Sequence, residues 1–429
     1  MIPHIETQSL EEIKAFQELK LQEVLQYVTT NSIYYKNLFQ EYNIDLSKIN
    51  KLEDLQLIPT TTKEDLQRNN DDFVCVPTHK IIDFATTSGT LGDPVTFGLT
   101  DNDLERLAYN EAISFDCAGI KEGDIVQLMT TMDRRFMAGL AYFLGLRKMK
   151  VGVIRVGAGI PELQWDSILK YKPTYLITVP SFLLKLIEYA DSHGIDYNNL
   201  GIKGAVCIGE SLRNQDFTNS ILADKIASKW NIKLFSTYAS TEMSTAFTEC
   251  EHGVGGHHHP ELIIVEVLDD ENKPVKDGES GELTITTIGV EAMPLIRFKT
   301  GDIVKLHTEK CACGRNTLRV GPVVGRKQQM IKYKGTTLYP PAMNDVLNDF
   351  DAIENYLIQI FNNDLGTDEI VVKIVVSNPN EGFLNEVKDH FRAKLRVTPK
   401  IEFVSKEVLN PIVFNPMNRK PTRFIDSRK

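Results

Sequence analysis

The stretch Tyr175-Leu176-Ile177-Thr178-Val179 is a short apolar run, and the helical pattern Phe182 to Ala190 follows it almost at once. Two runs of the same texture stand upstream, Ile125-Val126-Gln127-Leu128 and Val151-Gly152-Val153-Ile154, and helical patterns separate them from about Asp124 to Gly209. Alternation of this kind predicts a parallel sheet covered by helices.

Working outward, Ser9-Leu10-Glu11-Glu12 reads as a capping box, and Leu21, Val24, Leu25 and Val28 continue at helical spacing. Between Glu261 and Leu306 the texture changes to paired strands. Ile263-Ile264-Val265-Glu266-Val267 and Glu282-Leu283-Thr284-Ile285-Thr286 are separated by the turn-rich Asp269 to Gly281, which predicts an antiparallel or mixed β region. After about Arg326, strands near 357–361, 370–376 and 401–404 and a helix near 383–395 predict a compact α+β unit. The expected fold is therefore α/β, with a large domain over 1–326 and a small C-terminal domain over 327–429.

A chain of 429 residues exceeds what one hydrophobic core usually supports, and 42% hydrophobic with 25% charged residues is an ordinary globular balance. A net charge of -10 argues against nonspecific binding to nucleic acid or an anionic membrane. The start, Met1-Ile2-Pro3-His4-Ile5-Glu6, lacks a basic and then apolar leader, and Met137 to Leu146 is too short to span a bilayer, so a cytoplasmic location is the expectation.

Several short motifs carry chemistry. Thr86-Thr87-Ser88-Gly89-Thr90-Leu91-Gly92-Asp93-Pro94 packs hydroxyls and glycines into a turn suited to phosphate, without the lysine of a Walker loop. Tyr238-Ala239-Ser240-Thr241-Glu242 follows an apolar run, as expected of a loop at a strand's carboxyl end. Glu242 there suits Mg²⁺, which combines carboxylates with substrate phosphates; the alternative is a carboxylate capping a following helix. Arg297-Phe298-Lys299-Thr300-Gly301-Asp302 ends a strand pattern with Asp302 at a tight turn, either a ribose acceptor or a plain β-turn. Gly325-Arg326 and the basic Asn418-Arg419-Lys420-Pro421 complete the set. Cys250, Cys311 and Cys313 with one imidazole from the His252 to His259 segment would close a tetrahedral zinc site of the structural kind; the alternative is free thiols in a loop. Cys75, Cys117 and Cys207 read as small core hydrophobes.

In this order and spacing the segments resemble the adenylate-forming superfamily, and specifically the phenylacetate–coenzyme A ligase family. Asn31-Ser32-Ile33-Tyr34-Tyr35 and Pro59-Thr60-Thr61-Thr62-Lys63-Glu64-Asp65-Leu66 extend the resemblance toward the N-terminus. It implies a large AMP-binding domain and a small mobile C-terminal domain carrying a catalytic lysine. It also implies a two-step reaction, in which a carboxylate attacks the α-phosphate of ATP to give an acyl adenylate, and coenzyme A then displaces AMP.

Residue by residue, the resemblance implies that Thr87, Ser88, Gly89 and Thr90 wrap the β- and γ-phosphates. Glu242 holds Mg²⁺, Thr241 touches the α-phosphate, Asp302 accepts the ribose hydroxyls and Arg326 reaches ribose or phosphate. The acid pocket falls among Met129–Phe143, Cys207–Glu210 and Tyr238–Ser240, with Gly209, Glu210, Tyr238 and Ser240 in the binding set and Phe136 or Tyr142 able to stack on a ring. Lys420 carries adenylation: its ammonium offsets carboxylate–phosphate repulsion by about 4 kcal/mol at 4 Å with an effective dielectric near 20. His257 is the preferred zinc ligand, because some family members show a similar Cys, Gly-Leu-His and Cys-x-Cys-Gly arrangement.

Two positions depart from the family pattern. Arg419 stands where the family has glycine before its lysine, and Gln328 occupies the pivot position where the superfamily carries Asp or Lys. A pivot needs φ/ψ freedom more than charge, so it is still placed at Gln328. The expected function is an AMP-forming ligase for an aryl or arylacetic acid in phenylacetate catabolism, using ATP, Mg²⁺, coenzyme A and structural Zn²⁺. By resemblance it is a homodimer that engages small molecules rather than nucleic acid or membrane. The alternatives are an adenylyltransferase acting on a deazaflavin-type acceptor and a zinc-stabilised nucleotide-binding protein without turnover.

Overall fold

A computed structural model describes residues 2–87, 95–333, 336–362, 368–415 and 421–428. They divide into two compact units, one of residues 1–300 with 304–322, the other of 301–303 with 323–429. The division places Gln328 inside the second unit.

The first unit opens with α1 (Leu10–Asn31) under the capping box read from sequence: Ser9 N donates to Glu12 Oε2 at 2.9 Å, and Glu12 N to Ser9 Oγ at 3.2 Å. Helices α2 (Ile33–Glu41) and α3 (Lys63–Arg68) lead to an antiparallel hairpin, β1 (Asp83–Thr86) and β2 (Thr96–Leu99), which runs into α4 (Asp101–Cys117). The expected alternation follows as β3 (Ile125–Leu128), α5 (Met137–Lys148), β4 (Gly152–Arg155), α6 (Pro161–Tyr171), β5 (Tyr175–Thr178), α7 (Pro180–His193), β6 (Gly204–Ile208), α8 (Ile221–Ala227) and β7 (Lys233–Ser240). Strands β4, β3, β5, β6 and β7 lie side by side in that order, all parallel.

Successive residues of β5 feed opposite faces, as a pleat requires. Leu176 packs with Trp165, Leu183, Leu186 and Trp230, whereas Ile177 packs with Phe115, Leu128, Tyr142 and Val206. Both faces are thus covered, the condition for an all-parallel stretch. Gly145 of α5 permits close approach to α4, since a Cβ there would lie 2.3 Å from the Cβ of Glu111.

Beyond β7 the pairing turns antiparallel through β8 (Thr245–Thr248), β9 (Gly256–His257), β10 (Ile263–Leu268), β11 (Ser280–Thr287), β12 (Phe298–His307) and β13 (Arg319–Val320). The expected hairpin of β10 and β11 is present, with Ile263 opposite Thr287.

In the second unit β14 (Gly325–Arg326) pairs with residues 302–303 of β12. It continues as β15 (Ile331–Tyr333), β16 (Thr336–Leu338), α9 (Pro340–Asn348), β17 (Ile353–Asn362), β18 (Asp368–Val376), α10 (Glu381–Leu395), β19 (Lys400–Phe403), α11 (Lys406–Val413) and β20 (Phe424–Asp426). Its sheet runs β19-β18-β17-β20 over a core that includes Ile358, Ile360, Val372, Ile374 and Phe391. Arg428 uses the five N–H donors of its fork within this unit. Nε and Nη2 reach the Asp426 carboxylate at 3.0 and 2.7 Å, Nη1 reaches Asp368 Oδ2 at 3.0 Å and Met330 O at 2.7 Å, and Nη2 reaches Gln328 O at 3.1 Å. Among the described residues no helix is long and apolar enough to cross a membrane.

Candidate functional site

The glycine- and hydroxyl-rich segment follows β1. Thr87 N donates to Val95 O at 3.0 Å and Val95 N to Thr87 Oγ1 at 3.1 Å, so Thr87 is tied to the start of the next described stretch. Ser88, Gly89 and Thr90 lie outside the described residues, as do Lys420 and Arg419.

Strand β7 ends at Ser240, and Thr241 to Ser244 turn the chain directly into β8. No helix follows Glu242, so the helix-capping reading of its carboxylate is removed. The turn is held by Met243 N on Ser240 Oγ at 3.2 Å and Ser244 N on Thr241 O at 3.3 Å. Tyr238 stacks on Phe247 across the hairpin, with ring centroids 6.0 Å apart. The Glu242 side chain is 12% exposed, and Lys63 Nζ from the first turn of α3 stands 3.9 Å from its Oε1. Nothing in the Pro59–Leu66 segment marks Lys63 as functional, since a lysine just after an N-cap threonine looks like surface.

At the end of β6 the chain turns through Gly209 at φ 78°, a left-handed conformation that favours glycine. Glu210 beside it is committed to structure. Its Oε2 accepts from Ser181 N at 2.8 Å and its Oε1 from Ser181 Oγ at 2.9 Å, at the first turn of α7, whose N-cap Val179 offers no side-chain acceptor.

Asp302 is not at a tight turn. Thr300, Gly301 and Asp302 lie inside β12, which continues to His307, with Gly301 left-handed at φ 79°. The sequence reading failed because a glycine inside a strand carries the same local signal as one in a turn. Asp302 stands opposite Arg326 on β14, and Arg326 Nε donates to its Oδ1 at 3.3 Å.

Cys250, His257, Cys311 and Cys313 come together with their ligand atoms all within 4.8 Å of one another. Cys250 Sγ lies 3.6 Å from Cys311 Sγ, and Cys313 Sγ lies 3.4 Å from His257 Nε2. A zinc tetrahedron with Zn–S near 2.3 Å and Zn–N near 2.0 Å has edges of roughly 3.5–3.8 Å, so the residues fit that ion. His257 Nδ1 lies 3.5 Å from Thr317 Oγ1, leaving Nε2 toward the sulfurs. The hydrogen bond from Cys250 and then the nearby imidazole push the Cys313 thiol down, while the hydrogen bond to Cys313 and burial push Cys250 up. The neighbouring histidines are engaged elsewhere, His258 Nε2 with Ile263 O at 2.6 Å and His259 Nδ1 with Glu6 Oε1 at 2.5 Å. Glu6 also takes Arg315 Nε at 2.7 Å, and Arg315 Nη1 reaches Cys313 Sγ at 3.6 Å. Asn316 then binds the N-terminal turn, through its N to Glu6 O at 2.8 Å and its Nδ2 to Thr7 O at 3.0 Å. Cys75, Cys117 and Cys207 are buried, as expected of small core side chains.

Residues 9–292 match the family model described as AMP-binding enzyme. The chain is 30% identical over 383 residues to a phenylacetate–coenzyme A ligase of Thermus thermophilus, covering 88% of this chain and 84% of that protein. It is 27% identical to the enzyme of the same name from Escherichia coli, covering 83% and 81%. Its fold matches a 2-hydroxyisobutyryl-CoA ligase in complex with R3-HIB-AMP with a TM-score of 0.85 at 24% identity, covering 99% of this chain and 92% of that one. Matched along most of its length in sequence and fold, the chain belongs to the AMP-binding enzyme family, in its phenylacetate–coenzyme A ligase group, and is an AMP-forming acid–thiol ligase.

Proposed function

We propose that the acid activated by this ligase is an aryl or arylacetic acid of the phenylacetate type, converted through its acyl adenylate to the coenzyme A thioester. The observation that carries this reading is the likeness to the Thermus thermophilus protein, named a phenylacetate–coenzyme A ligase, over 88% of the chain. In this reading Thr87, Ser88, Gly89 and Thr90 bind the β- and γ-phosphates by charge-assisted hydrogen bonds. Thr241 meets the α-phosphate, Asp302 and Arg326 take the ribose, and Gly209, Glu210, Tyr238 and Ser240 border the acid and adenine. Mg²⁺ held by Glu242 and the substrate phosphates would neutralise charge on the leaving pyrophosphate. Lys63, beside Glu242, supplies a second positive charge to the same phosphates. Lys420 is the adenylation lysine, and Gln328 is the pivot by which the small domain exchanges half-reactions.

Zn²⁺ held by Cys250, His257, Cys311 and Cys313 has a closed ligand set, so its contribution is to pin the loops before β9 and β13. A homodimeric, cytoplasmic enzyme of phenylacetate catabolism completes the reading. The test is ATP–pyrophosphate exchange across aryl, arylacetic and short aliphatic acids, followed by coenzyme A addition and thioester detection. Exchange and thioester with arylacetic acids are expected. Thioester formation only with short aliphatic acids overturns the acid assignment, and exchange without thioester points to an adenylyltransferase.

A further inference from the structure

Arg106 is buried in the body of α4, and the acceptors of its fork are neutral oxygens. Nε donates to Ile288 O at 2.7 Å, Nη1 to Ser244 O at 2.5 Å, and Nη2 to Leu262 O at 2.6 Å and Thr245 Oγ1 at 3.1 Å. Burial lowers its pKa to about 10, which leaves it a cation at neutral pH. Two of those acceptors belong to the end of the turn that carries Glu242. Ser244 stands at φ 47°, a left-handed conformation that is strained for a non-glycine residue. One helical turn further along α4, Asn110 Oδ1 accepts from Ala246 N at 3.1 Å. Two side chains four residues apart on one rigid helix therefore grip the returning strand immediately after the turn.

We propose that Arg106 is the positioning residue for Glu242: its fork holds Ser244 left-handed, which closes the 240–245 turn and fixes where the Glu242 carboxylate can reach. The proposal rests on the reading of Glu242 as the Mg²⁺ ligand. Arg106 does not touch Glu242; it acts through the backbone between them.

The test compares Arg106→Lys, Ser244→Gly and the double variant. Lysine keeps the charge but cannot span the same acceptors, whereas glycine adopts the left-handed conformation without strain. Two quantities are read: the Mg²⁺ concentration that half-activates pyrophosphate exchange, and amide hydrogen exchange of the peptide covering 240–246. Arg106→Lys is expected to raise the half-activating Mg²⁺ about ten-fold, and to speed exchange of the peptide by a similar factor. Ser244→Gly in the Arg106→Lys background should recover most of both. A merely structural arginine would lower thermal stability without that rescue, and such a result overturns the proposal. If Arg106→Lys does not fold, Thr245→Val removes one acceptor of the same fork; unchanged peptide exchange there also overturns it. Should Glu242→Gln leave the Mg²⁺ dependence unchanged, the reading of Glu242 fails, while peptide exchange and its rescue still decide whether Arg106 holds the turn.

Discussion

Lys63 Nζ and Glu242 Oε1 stand 3.9 Å apart, on a helix start and a hairpin turn that sequence separates widely. When a polyphosphate enters, the ammonium can pass from carboxylate to phosphate oxygen without leaving a buried charge unpaired. Lys63→Ala is therefore expected to raise KM for ATP about ten-fold while KM for the acid stays close to wild type. Steady-state kinetics with each substrate varied in turn checks this, and an unchanged KM for ATP removes Lys63 from the phosphate site.

Lys420→Ala is expected to cut pyrophosphate exchange roughly 10²–10³-fold, the scale of losing one preorganised charge donor, with AMP binding little affected. Gln328→Pro should spare exchange and stop thioester formation. Equal loss of both half-reactions would count against a pivot at that position.

Purified protein should carry close to one zinc per chain by elemental analysis. Cys311→Ser or Cys313→Ser should lose it and lower the melting midpoint by on the order of 5 °C. A stable, zinc-free wild type would refute the metal site and leave a cluster of reduced thiols.

Because both Glu210 oxygens serve Ser181, Glu210→Ala should act first on stability, by about 1 kcal/mol, the usual scale of a lost helix cap. Urea unfolding measures it. An undiminished midpoint with a strongly raised KM for the acid would return Glu210 to the binding set alone.

Glu111 on α4 is buried against α5, and burial pushes its carboxyl up to about 8, with the Asn110 amide 3.1 Å away as a partial offset. The folded chain thus keeps a proton that the unfolded chain releases above its ordinary value of 4.5, so this group's contribution to stability falls as pH rises from there through about 8. Glu111→Gln remains neutral throughout. Its stability advantage over wild type should be larger at about pH 8 than at about pH 5 in urea titrations, and an advantage independent of pH would show that Glu111 is ionised in the fold.

Much of this was legible from local pattern. The Tyr175–Val179 run and the Ser9–Glu12 box carry their signal within a few residues, the four zinc-type ligands in two short segments of thiol and imidazole, and the structure brings them out as strand, helix start and cluster. Thr300-Gly301-Asp302 misled because turn and strand share the glycine signal. Arg106, Glu6 and Arg428 were illegible for a different reason: their partners lie 138 to 182, 253 to 309 and up to 100 residues away along the chain, with only Asp426 a near neighbour of Arg428. No periodicity marks a side chain whose hydrogen-bond partners lie far away along the chain.

The pairing of Glu6 with Arg315 has a consequence for how the chain is made. The two residues are 309 apart in sequence, and at 5–20 residues per second a ribosome needs on the order of 15–60 s to travel between them. Until then Glu6 has no guanidinium and His259 has only an unfinished loop. The contacts that hold the opening turn before α1 therefore become available only once nearly the whole first unit has emerged, together with the two cysteines that precede Arg315.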